Sequence, residues 1–238
     1  MKAMIFSAGL GTRFKPWTDE HPKALALVNG RSLLHRNVEY LKSYGVTDII
    51  VNVHHFADQV IEGIRFHKGW GVNVIISDET DVVLETGGGL LKAKQYFNPG
   101  EDFITINVDI LCNLDLERFL AWHRTEGSLV SLAVTDRKSS RCFVFNENNR
   151  LIGWRNLQTG EEKIKIRRSP DFNKAFSGIS IFKYRFFDEL ELTGKFSLVD
   201  AWLSMAARHV ISGYDHSGDK WVDVGRPESV AVAEDLFW

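Results

Sequence analysis

Apolar residues recur along the first half of the chain as short runs separated by helical spacings. Ala3–Phe6, Ile49–Val53, Val72–Ile76, Phe103–Val108 and Leu129–Val134 are near-continuous apolar and β-branched stretches, the composition of strands covered on both faces. Between them, Leu33, Leu34, Val38 and Leu41 share one helical face behind a capping Ser32, with Gly45 where a left-handed turn would end the helix. Phe56, Val60, Ile61 and Ile64 repeat that spacing, as do Leu116, Phe119 and Leu120 behind Asp115. Gly88–Phe97 predicts another helix, stopped by Pro99. Such alternation predicts an α/β fold with a doubly wound, mostly parallel sheet, whose ligands sit at the carboxyl ends of the strands.

The rhythm changes near Ser140. Cys142–Asn146, Arg150–Trp154 and Lys163–Arg168 are short strand candidates divided by turn residues, and Phe176–Phe182 is a further strand. Ser197–Val210 has an amphipathic helical pattern, and Pro227 opens a final helix, Pro227–Phe237. No Pro/Ser-rich linker or repeat divides the chain. A single domain over residues 1–238 is expected, with residues 136–238 adding hairpins to the sheet begun in residues 1–135.

Charge narrows the function classes. Lys and Arg total 29 against 31 Asp and Glu, a net charge of −2, which argues against a dedicated nucleic-acid binder or a membrane-surface protein. Two cysteines, Cys112 and Cys142, make no disulfide framework, and no apolar run approaches a membrane span, so a soluble cytoplasmic globular protein is the expectation.

Candidate chemistry gathers after the first strand. Gly9-Leu10-Gly11-Thr12-Arg13-Phe14-Lys15-Pro16-Trp17-Thr18, then Pro22-Lys23-Ala24-Leu25, sets two glycines at a strand end, where backbone N–H groups approach a phosphate closely. Phe14 stands where a dinucleotide fingerprint needs its third glycine, and no Gly-Lys-Ser/Thr ending marks a P-loop. A connection of about 20 residues held by prolines exceeds most loops and predicts a function. Arg13 and Lys23 supply two cations; a solvated surface turn is the plain alternative. Asp109 and Asp223 each follow a short apolar run; either alone also reads as a turn former, while together they suit Mg²⁺, which takes one or two carboxylates plus phosphate oxygens and water. Three consecutive glycines in Glu85-Thr86-Gly87-Gly88-Gly89, ahead of a helix, point to a close backbone approach or a simple turn.

The ordered string Gly9-x-Gly-Thr-Arg13-x-x-Pro16-x-Thr18 with Pro22-Lys23-Ala-Leu25 resembles the N-terminal signature of sugar-1-phosphate nucleotidyltransferases. Glu85–Gly89, Asn107-Val108-Asp109, Phe176-Ser177-Gly178-Ile179, Phe196-Ser197-Leu198 and Trp221–Glu228 extend the likeness across nearly the whole chain. It is most similar to the small bacterial branch of N-acetylmuramate-1-phosphate uridylyltransferases and heptose- or mannose-1-phosphate guanylyltransferases. The resemblance implies a Rossmann-like nucleotidyltransferase fold and the reaction of an NTP with a sugar 1-phosphate to give NDP-sugar and pyrophosphate. It implies that Gly9, Gly11, Thr12, Arg13 and Lys23 hold the triphosphate, with Arg13 and Lys23 catalytic. Glu85, Thr86, Gly87 and Gly88 would bound the base, Asn107 and Gly178 the sugar, and Asp109 and Asp223 would bind Mg²⁺.

Two departures leave choices open. Uridylyltransferases often carry Gln five residues before Gly-Thr, where this chain has Thr80 and Glu85, so UTP and GTP both stand; the likeness of Leu84–Gly89 favours UTP with N-acetylmuramate 1-phosphate. A Glu-Lys-Pro segment of many relatives is absent, leaving Lys163 and Arg167 as candidates for the sugar phosphate. A metal-dependent glycosyltransferase would normally show Asp-x-Asp, whereas Asp109-Ile110-Leu111 supplies one acid; a non-catalytic nucleotide-binding regulator is the other competing class.

Overall fold

The computed structural model describes residues 1–166 and 170–237. Arg167 and the end of the predicted strand Lys163–Arg168 lie outside them. In chain order, β1 (Lys2–Phe6) leads through the glycine loop to a two-residue hairpin, β2 (Leu27–Val28) and β3 (Arg31–Ser32). Helix α1 (Leu33–Ser43) follows, its Ser32 cap accepting from His35 N at 3.1 Å. Then come β4 (Asp48–Val53), α2 (Ala57–Phe66), β5 (Asn73–Asp78), α3 (Glu85–Lys92), β6 (Asp102–Asn107), β7 (Ile110–Cys112) and α4 (Leu116–Glu126), capped by Asp115. The second half contains β8 (Val130–Thr135), β9 (Arg141–Asn146), β10 (Leu151–Asn156), β11 (Glu162–Ile164), β12 (Asp171–Lys183), α5 (Phe186–Glu189), α6 (Leu198–Met205), β13 (Ile211–Asp215), β14 (Trp221–Asp223) and α7 (Glu228–Leu236).

The central sheet has the order β11-β10-β9-β12-β6-β1-β4-β5, with β8 joining β12 to β13. Strands β5, β4, β1 and β6 are parallel, as their apolar runs predict; β12 lies antiparallel to β6, β8 and β9 and brings in the hairpins. Alternation along β1 divides the core between the two faces. Ala3 and Ile5 pack with α1 and α2 residues such as Leu34, Val38 and Val60, whereas Met4 and Phe6 pack with Leu90, Phe97 and Trp202. Among the described residues no helix is long and apolar enough to cross a membrane.

Several elements differ from expectation: β2, β3, β7, α5, β13 and β14 carry no clear signal in the sequence, and β11 ends at Ile164 rather than continuing along the predicted strand. The helix read as Gly88–Phe97 begins at Glu85 and turns 3₁₀ over Ala93–Tyr96, so the glycines form its first turns rather than a preceding loop. Helix α6 stops at Met205 instead of Val210: the chain peels away so that Leu129 N can donate to Val210 O at 2.8 Å and β13 can pair with β8. The strand predicted over Phe176–Phe182 is longer, because its first residues, Asp171–Lys174, pair with β9.

Candidate active site

Strand ends β1, β4, β5 and β6 open onto one cavity of about 410 Å³. Its wall includes Gly9, Lys23, Glu85, Thr86, Asn107 and Asp109, all singled out in the sequence, together with Ser7, Asn52, Glu79 and Ser197. Asn107 and Asp109 face it together, as their spacing across the end of β6 predicts.

The glycine loop is built rather than floppy. Phe14 N donates to Gly11 O at 2.7 Å, Thr18 Oγ1 to the same oxygen at 2.9 Å, and Phe14, Thr18 and Ala24 are buried. Gly11 adopts a φ of +61°, and a Cβ there would stand 2.8 Å from Thr18 Cγ2 and 3.3 Å from Lys23 Cβ. A side chain at position 11 would thus clash with Thr18 and press on Lys23. Thr12 and Phe14 bound a 3₁₀ turn that presents Arg13 as an exposed cation.

Pairing of β14 with β7 brings the two acids together. Asp223 stands opposite Ile110, and Val224 N donates to Asp109 O at 2.8 Å. Lys23 Nζ donates to the Asp109 carboxylate, with both side chains mostly buried. Burial, and then the charge of Asp109, push the Asp223 carboxyl above the usual range; Lys23, Arg13 and Arg137 oppose that rise. Arg13 borders the same acid: the Cβ position of Gly225 lies 2.6 Å from Asp223 Oδ1 and 3.0 Å from Arg13 Nη2. Asp223 Oδ1 is buried without a hydrogen-bond partner among the described residues. An orphaned carboxylate oxygen beside a second carboxylate is a donor set that fits a hard cation such as Mg²⁺.

Other predicted positions stand differently. Gly87 and Gly88 do not border the cavity; they pack against the segment Gly194–Phe196, with a Cβ at Gly88 falling 2.2 Å from Gly194 O. Gly87 N and Gly88 N both donate to Phe196 O, at 2.9 and 3.2 Å, and Leu198 N donates to Thr86 Oγ1 at 3.0 Å. The three glycines therefore let α3 sit flush beneath this strap, whose Ser197 closes the cavity. Glu85 itself has a φ of +60°, a strained conformation for a residue in the cavity wall. Gly178, with φ +81°, lies in the β12 irregularity between Phe176 and Ser180, its Cβ position 3.3 Å from Asn107 Nδ2. Lys163 faces Trp154 and Asp200 on the surface, and neither borders the cavity.

Sequence reasoning missed a buried polar chain at the cavity floor. Ser7 N donates to Asn52 Oδ1 at 2.7 Å, and Asn52 Nδ2 donates to Glu79 Oε1 at 2.8 Å. Burial raises the Glu79 carboxyl above its usual range despite Asn52. The available signal was Asn52 itself, a lone amide inside the apolar run Ile49–Val53. Arg137 was missed as well; in Thr135-Asp136-Arg137-Lys138 it reads as part of a solvated turn.

Comparison with known proteins matches the chain over nearly its whole length. The nucleotidyl transferase family model covers residues 2–236. An N-acetylmuramate alpha-1-phosphate uridylyltransferase of Caulobacter vibrioides is 30% identical, spanning 98% of this chain and 95% of its own. Mannose-1-phosphate guanylyltransferase catalytic subunit beta of Dictyostelium discoideum is 27% identical over 100% of this chain and 64% of its own. In fold, HddC from Yersinia pseudotuberculosis complexed with GMP-PN superposes with a TM-score of 0.78 at 23% identity, covering 100% of this chain and 99% of that one. Matched over nearly its whole length, the chain belongs to the nucleotidyl transferase family, among its sugar-1-phosphate nucleotidyltransferases.

Proposed function

We propose that this chain joins UTP to N-acetylmuramate 1-phosphate, releasing pyrophosphate, as one cytoplasmic nucleotidyltransferase domain. The observation that carries the reaction is the meeting of Lys23, Asp109, Asp223 and Arg13 at the carboxyl ends of the strands. The choice of substrates is supported by two N-acetylmuramate alpha-1-phosphate uridylyltransferases that are each 30% identical to it. Residues 1–135 mainly take the nucleotide and residues 136–238 mainly the sugar phosphate.

The chemistry needs no protein base. A phosphate monoester with a second pKa of about 6 is largely dianionic at neutral pH, so a sugar-phosphate oxygen can attack the α-phosphorus in line. What must be overcome is repulsion between two anions, and the protein does so by position and charge. Backbone N–H groups of Gly9, Gly11 and Thr12 cradle the triphosphate. Arg13 offsets charge developing on the α-phosphate and the departing pyrophosphate, and Lys23 lies across the phosphates. Asp109 and Asp223 would hold Mg²⁺, which supplies further charge neutralisation for the facing phosphates. Glu85 and Thr86 bound the base, Gly87 and Gly88 shape that helix start from beneath, and Asn107 and Gly178 bound the sugar.

A guanylyltransferase acting on mannose or heptose 1-phosphate is the second reading, favoured by the Glu85 carboxylate in the cavity wall, an acceptor that suits the N–H donors of guanine. A pyrophosphate-release panel of four NTPs against N-acetylmuramate, mannose, heptose and glucose 1-phosphates decides between them. Turnover with GTP alone discards the uridylyl reading. Regeneration of NTP from NDP-sugar and pyrophosphate separates both from a glycosyltransferase.

A further inference from the structure

Arg137 is a half-buried cation whose hydrogen-bond partners among the described residues are all neutral. Its Nη1 donates to Thr135 Oγ1 at 3.0 Å and Ala175 O at 3.2 Å, and its Nη2 to Phe176 O at 2.6 Å. The guanidinium lies 3.8 Å from the ring centroid of Trp221. A strut between carbonyls needs donors but no charge, and removing a charge from water without an anionic partner is costly.

The surroundings hold this cation still. Trp221 Nε1 donates to Ser177 O at 2.9 Å, and Ser177 Oγ bonds His216 Nε2 at 2.7 Å, both residues of that second pair being buried. Trp221 and Asp223 are two residues apart on β14, so their side chains share a face, and Arg137 and Asp223 each feel the other's charge. Arg137 thus flanks Asp223 from the second half of the chain, whereas Arg13 and Lys23 approach that acid from the glycine loop. Of five guanidinium N–H groups three are engaged by the described residues, leaving about two for a ligand.

We propose that Arg137 is a substrate-binding residue, its unused edge taking the phosphate oxyanion of the sugar 1-phosphate. This rests on the sugar-1-phosphate reading above. The incoming dianion supplies the counter-charge that the carbonyls do not, and the fixed planar fork matches two phosphate oxygens. The role is the one for which the sequence offered Lys163 and Arg167.

Steady-state pyrophosphate release by the full chain tests it, with Arg137→Ala and Arg137→Lys assayed against each substrate in turn. Arg137→Ala is expected to raise KM for the sugar 1-phosphate by about 10- to 100-fold while KM for the NTP moves by less than about twofold. Arg137→Lys, which keeps the charge but not the fork, recovers part of that loss. Inorganic phosphate, as a competitor against the sugar 1-phosphate, weakens in the same order. A parallel rise of both KM values, or no change in either variant, overturns the assignment. Should Arg137→Ala fail to fold, Arg137→Lys and the phosphate competition decide alone. Wild-type turnover with an unshifted Arg137→Lys defeats only Arg137; a wild type that releases no pyrophosphate with any sugar 1-phosphate defeats the underlying reading too.

Discussion

Lys23 and Asp109, 86 residues apart, form an ion pair that ties the glycine loop to the end of β6. The pair puts a cation beside two acids that would otherwise repel. Lys23→Met is expected to lower turnover about 10²- to 10³-fold, the scale for losing one charged transition-state contact. It also lowers the thermal midpoint, since Asp109 keeps its charge without its partner. Added Mg²⁺ restores the midpoint by relieving repulsion but not the turnover, which thermal melts and pyrophosphate release measured side by side check.

The two acids carry opposite stability consequences. Asp223→Asn removes a buried charge that Asp109 already disfavours, so the metal-free protein is expected to be as stable as the wild type or more so. Asp109→Asn strands Lys23 and destabilises. Both variants lose turnover, and chelation of divalent ions abolishes it in the wild type. Equal shifts in thermal midpoint for the two substitutions would refute this assignment of charge.

Gly88→Ala reverses an ordinary rule. Alanine inside a helix normally gains up to about 1 kcal/mol over glycine. Here its Cβ would fall 2.2 Å from Gly194 O, a backbone atom that cannot rotate away. A loss of about 1–3 kcal/mol is expected, as for other overpacked sites. Because the displaced strap carries Ser197, KM for the NTP rises as well; denaturant melts and substrate titrations measure the two effects.

His123 makes stability depend on pH. The ring is fully buried, bonds Ser131 Oγ at 2.7 Å, and is pushed by burial from 6.5 to about 4, with Asp102 opposing. Between those values the unfolded chain takes up a proton that the folded one refuses. Its contribution is therefore complete above pH 6.5 and declines as pH falls towards 4, by about 3 kcal/mol in all. His123→Gln is expected to flatten that part of a stability profile recorded by chemical denaturation; an unchanged slope would dismiss the role.

Legibility in the sequence followed the range of the forces involved. Runs such as Ile49–Val53 announce their strands because burial on both faces leaves an unbroken apolar signal, and Ser32 and Asp115 announce helix starts through a bond three residues away. The start of α3 was misread because glycine has low helix propensity; what holds Gly87 and Gly88 helical is Phe196, over 100 residues later. Asp223 could be nominated by its neighbours, but its meeting with Asp109 depends on three residues of β14 pairing with three of β7, too short for any periodicity. Arg137 gave no local signal at all, since Trp221 and the β12 carbonyls alone distinguish it from a surface arginine.

Strand β12 is the one element bonded to β6, β8 and β9 alike, and it carries its irregularity between Phe176 and Ser180. Elsewhere along it, bending breaks ladder hydrogen bonds; at this break the ladder to β8 is already interrupted. The molecule thus has a built-in crease, and it runs past Gly178, Asn107 and the carbonyl that holds Arg137. Flexing there changes the approach of Gly178 to Asn107 more readily than flexing anywhere else on that strand.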